Sequence, residues 1–183
     1  MAGDTGRTLL ILTAGAAIML LGLAALAFPV VARLPAGAFV GWLLLAAGLL
    51  ELAAAFVFAG TGRTGAGAAA AATTIAGALF LANPSIKLVP GVWIVTIWLA
   101  LRGAILLVTG FRTRGEVRPL GLYAGACDLL LALALLLGMP VSAIVLLLFG
   151  PSPEMRAGFA VVLTASFFVT GASLIAIARS RLR

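Results

Sequence analysis

Residues 22–56 read GLAALAFPVVARLPAGAFVGWLLLAAGLLELAAAF, and residues 77–111 read GALFLANPSIKLVPGVWIVTIWLALRGAILLVTGF. Laid over each other without a gap, they place Gly22 on Gly77, Pro29 on Pro84, Pro35 on Pro90, Gly48 on Gly103 and Phe56 on Phe111. Just beyond, at the same constant shift, Arg63 falls on Arg118. Ala and Leu align by chance in so apolar a chain, so the matched glycines and prolines carry the weight of the duplication. In each copy an apolar run ends near a proline, a short turn follows and a second apolar run begins. That is the pattern of a helical hairpin.

Working outward, the same texture covers the chain. Of its 183 residues, 64% are hydrophobic and 9% charged, far from the roughly half-apolar, one-quarter-charged makeup of soluble domains. The apolar residues lie in unbroken runs rather than at helical or strand periods, so lipid is the expected solvent. Six stretches reach or approach the ~20 apolar residues that cross a bilayer, at 8–28, 37–59, 66–82, 88–110, 120–139 and 157–178. The third is the shortest and is Ala-rich. Residues 143–149 are apolar but too short to span, and read as a kinked extension or an interfacial turn after Pro140. The first span imitates a signal peptide through Arg7 and the Ala25-Leu26-Ala27 triplet. Its length and its part in the repeat favour a retained helix.

The expected fold is all-α and integral to the membrane, one domain over 1–183, with hairpin repeats at about 8–59, 66–111 and 119–179. In the third repeat Pro140 stands for Pro29 and Pro84, and Gly171 for Gly48 and Gly103, provided that about twelve residues are inserted in its outer loop. With an even number of spans per copy every repeat starts on the same side, so the repeats are parallel. A pseudo-threefold arrangement about the membrane normal is compatible with this.

The net charge of +7 comes from arginines at span ends. Arg7, Arg63, Arg112, Arg114, Arg118, Arg179, Arg181 and Arg183 fall on one side, against Arg33, Lys87 and Arg156 on the other. By the positive-inside rule both termini are cytoplasmic, and Trp42 and Trp93 lie near the outer surface as aromatic anchors. This distribution speaks against a nucleic-acid partner. The lipid bilayer is the expected partner, and the sequence leaves open a homo-oligomer or a membrane-protein partner.

The first two hairpins resemble those of the HdeD-like family of bacterial acid-resistance membrane proteins. The resemblance lies in the glycine before the helix break, the Phe28-Pro29 or Asn83-Pro84 pair, and the later Gly48-x-x-Glu51 or Arg102-Gly103 element. It implies a six-helix protein of the bacterial inner (cytoplasmic) membrane with a role in acid or envelope stress, and it brings no catalytic residues with it. The longer outer loop of the third hairpin departs from the pattern.

Few side chains remain for chemistry. There is no His, and Cys127 is the lone cysteine, inside an apolar run. No nucleophile-base set or metal site is legible, so the expectation is a non-enzymatic protein without a cofactor or metal. Three ionisable residues lie inside spans: Glu51, Arg102 and Asp128. Each sits about eight to ten residues, or roughly 12–15 Å, from the cytoplasmic end of its span, so they could share one layer. The repeat shift puts Arg102 on Ala47, four residues before Glu51 and on the same helical face. Arg102 is expected to pair with Glu51 or Asp128 as a structural ion pair. The competing reading is a small proton-linked transporter or channel using that layer.

Gly37-x-x-x-Gly41 and Gly121-x-x-x-Gly125 have the spacing of close helix contacts, expected inside the bundle. The stretch Gly60-Thr61-Gly62-Arg63-Thr64-Gly65 lacks a phosphate-loop ending and reads as a flexible inner loop. Asn83 is expected to cap the third span or open the outer turn.

Overall fold

The structure, a computed structural model, describes residues 2–27, 35–58, 60–82, 88–114, 117–137 and 154–180. The described residues form six helices: α1 (Ala2–Ala27), α2 (Ala36–Ala55), α3 (Gly60–Ala82), α4 (Leu88–Arg112), α5 (Val117–Leu136) and α6 (Glu154–Ser180). Each is long and apolar enough to cross a membrane. In lipid the backbone must satisfy its own N–H and C=O groups, and a helix does so within one segment. Several hydroxyls inside the helices are absorbed in the same way: Thr73 Oγ1 donates to Ala69 O at 3.1 Å and Thr109 Oγ1 to Ile105 O at 2.7 Å, local bonds that satisfy a polar group away from water. Pro29, Pro84, Pro140, Asn83, Arg33, Lys87 and residues 143–149 lie outside the described residues.

One expectation is corrected. Residues 60–65 belong to α3, which has 23 residues, so the glycine-rich stretch is the first turns of a membrane-length helix and the third span is not short. The reason is packing: Gly65 is buried against the Thr109 side chain of α4, where a Cβ would collide with it. Interhelical contact of that closeness outweighs the poor intrinsic propensity of glycine, which disfavours a helix by about 1 kcal/mol per residue.

The helices close into a ring. The tightest antiparallel pairs are α2 with α3, α4 with α5, and α6 with α1; the pairs α1·α2, α3·α4 and α5·α6 touch more loosely. The close joints thus link the end of one hairpin repeat to the start of the next, and α6 returns to α1. The same device builds all three joints. A Cβ on Gly48 would lie 2.6 Å from the backbone N of Thr74, on Gly103 3.1 Å from that of Leu129, and on Gly171 3.2 Å from that of Met19. Met19, Thr74 and Leu129 follow one another at the shift that carries Gly22 onto Gly77. Small residues let the backbones approach, which is how helices associate without a hydrophobic driving force. Gly22 and Gly77 serve the other half of these joints, with Cβ positions 3.4 Å from Thr164 O and 3.0 Å from Gly41 O. Gly41 and Gly125 likewise face inward, toward Gly77 and Gly103.

The ring's centre holds Ile11, Ile18, Leu44, Leu99, Leu163 and Phe167, all buried. Its outside carries Leu20, Trp42, Trp93, Phe111 and Leu130, the faces a bilayer would wet.

Candidate functional site: a charged layer inside the helix ring

Arg102 sits on α4 one residue before the joint glycine Gly103, and that neighbour's missing side chain lets α5 approach closely. The guanidinium is buried and reaches three other helices. Its Nη2 donates to Glu51 Oε1 of α2 at 2.8 Å and to Thr170 Oγ1 of α6 at 2.7 Å. Its Nη1 donates to Asp128 Oδ2 of α5 and to Ser166 Oγ of α6, the latter at 3.3 Å. The three ionisable residues expected to share a layer therefore meet, and Arg102 pairs with both carboxylates.

Donors and acceptors alternate through the cluster. Ser166 Oγ accepts from Arg102 and donates to Asp128 Oδ1 at 2.7 Å; Thr170 Oγ1 accepts from Arg102 and donates to Ser166 O at 2.8 Å. One helical turn before Arg102, Trp98 lies with its ring centre 6.0 Å from the guanidinium carbon and donates Nε1–H to Thr73 Oγ1 of α3 at 3.1 Å. A guanidinium has five N–H donors. Four are used here, and Nε is buried with no partner among the described residues. Asp128 is 1% exposed and Glu51 8%, so Glu51 is the more reachable carboxylate. The cluster holds one more acid than base.

Ser166, Thr170, Trp98 and Thr73 were not singled out by sequence reasoning, yet a signal for them existed. Laying Gly171 on Gly103, the match of the third repeat to the second, also lays Thr170 on Arg102 and Ser166 on Trp98. Thr73 and Asp128 are related by the shift between the first two repeats. The bonds Trp98 to Thr73 and Ser166 to Asp128 are thus the same contact between the two helices of a hairpin, in successive repeats.

A cavity of about 110 Å³ leads from Glu51 and Arg102 toward the helix ends at Gly62 and Thr113. Cys127 is a free thiol and half-buried. Among the described residues no group of His, Cys, Asp or Glu is arranged to hold a metal.

Six membrane-length helices closed by repeated glycine joints around a charged layer define a multi-pass membrane protein built from short helical repeats. The chain belongs to the family described as Short repeat of unknown function (DUF308), whose model matches it twice, over residues 13–82 and 68–137. The start and the end of the second match are displaced equally from those of the first, and the displacement is the register of the hairpin duplication. No curated protein and no solved structure matches the chain.

Proposed function

We propose that this protein is a non-enzymatic stress protein of the bacterial cytoplasmic membrane, acting as the resemblance to the HdeD-like acid-resistance family implies, with the charged layer as the fastener of its bundle. The observation that carries the reading is the bonding of Arg102 to Glu51, Asp128, Ser166 and Thr170. Four of its five donors are spent on protein groups of α2, α5 and α6, which suits a rigid tie between helices. A buried ion pair supported by further hydrogen bonds specifies one arrangement of its helices, and breaking it is strongly destabilising. In this reading both termini and the arginine-rich helix ends face the cytoplasm, and the protein carries no ions across the membrane.

The test is survival of cells at low pH with the protein deleted, restored, or restored as Arg102→Leu. The expected result is poor survival after deletion, recovery with the natural chain, and no recovery with the variant at equal membrane abundance. Equal survival of deleted and complemented cells would remove the stress role.

A further inference from the structure

We propose that the cavity beside the charged layer holds one acyl chain of an anionic phospholipid, whose headgroup rests on the arginine-rich end of the ring. This goes beyond the fastener reading and does not depend on it.

The shape is that of a narrow slot. Along α4 its wall runs from Arg102 to Thr113, which at 1.5 Å per residue is about 16 Å of depth. Small residues on α3 and α5 make the room: Ala66, Ala69, Gly121 and Ala124. Leu106 on α4 and Leu174 on α6 supply much of the apolar surface. The volume, about 110 Å³, is several times what one water needs, yet water keeps to sites that offer it two to four polar partners. These walls offer few. A hydrocarbon chain meets the slot's needs, and in a bilayer it is the abundant solute of that shape.

Charge sets which way the occupant lies. The floor, Glu51 with Arg102, offers an anionic group no spare cation at depth, because Arg102 is already bonded to Glu51 and Asp128. The open end is the reverse. Arg63, Arg112, Arg114, Arg118 and Arg179 all belong to that end of their helices, and their side chains are exposed. Arg112 adjoins Thr113 and Arg63 adjoins Gly62, two of the residues that line the cavity toward that end. Arginine pairs with phosphate through its planar fork, and basic sites between membrane helices select anionic headgroups. Head at the rim and chain in the slot is the orientation both charges favour.

The experiment is thermal unfolding of the purified full chain in detergent, titrated with phosphatidylglycerol, phosphatidylcholine or palmitate. The expected result is a rise in Tm that saturates with phosphatidylglycerol near one lipid per protein and is absent with the other two. Ala66→Phe, which fills the slot, should abolish that rise. Arg112→Gln combined with Arg118→Gln, both at exposed positions that leave the core intact, should weaken the apparent affinity by about thirtyfold. Equal shifts with phosphatidylcholine or with palmitate would overturn the proposal, as would an unchanged affinity in the arginine double variant.

Discussion

Arg102 and Thr170 occupy equivalent positions in successive repeats, each one residue before a joint glycine, and they are hydrogen-bonded to each other at 2.7 Å. A chain with three nearly identical joints has thus placed a charge in one copy and its neutral acceptor in the next. The asymmetry lets a single guanidinium serve as the hub of an otherwise symmetric ring.

Thr170→Val keeps the shape of that acceptor and removes its oxygen. The expected loss is about 1 kcal/mol, between the ~0.6 kcal/mol average for interhelical bonds in membranes and the ~1.5–3 kcal/mol of bonds to a charged group. Reversible unfolding in mixed micelles measures it. A variant as stable as the natural chain would show the bond to be worth nothing.

Arg102→Leu should cost about 3–5 kcal/mol, because it strands Glu51 and Asp128 together in the core. Replacing all three by Leu should recover much of that loss, since no buried charge is then left without its counterpart. If the triple variant proves less stable than Arg102→Leu, the penalty does not come from stranded carboxylates. Arg102→Lys is expected to fall between, a lysine having three donors and no planar fork.

Glycines at the joints and glycines elsewhere should respond to substitution with opposite signs. Gly103→Val forces a side chain into the α5 backbone, where a Cβ would already meet Gly125 O at 2.9 Å, and should cost about 1–3 kcal/mol as overpacking. On α3, a Cβ placed on Gly67 would have nothing within 4 Å. Gly67→Ala should therefore stabilise α3 by up to about 1 kcal/mol through helix propensity alone. Unfolding midpoints of the two variants, falling for one and rising for the other, separate joint from filler.

Orientation is checked by reporter fusions after residue 183. Cytoplasmic activity of the fusion is expected from the arginines at that end of the helices, and a periplasmic reporter signal would invert the topology.

Much of this architecture was legible in the sequence because a bilayer leaves so few choices. Long apolar runs must be helices, and matched glycines mark where helices touch, so Gly48 and Gly103 pointed to their joints. Residues 60–65 misled because glycine spacing reads as a loop, whereas here Gly65 is small to admit Thr109. The layer was legible as three charges at one depth. Its completion was not, because Ser166 and Thr170 are ordinary polar residues whose role follows only from the wider offset across the longer third loop. The closest pairs were also hidden, since a hairpin in sequence suggests that its own two helices pack best, and here each packs better on its neighbour's.

Pairing across repeats also governs how the molecule is made. The glycine face of α1, with Gly15 against Gly171 and Gly22 against Thr164, finds its partner in α6, the last of the six described helices in chain order. Until α6 is made, α1 must wait beside the helices between them with a seam of bare backbone, available to any other small-residue helix nearby. The ring closes only once α6 has joined α1, so a chain interrupted before α6 is an unsealed assembly that quality-control proteases or a second nascent copy would meet first.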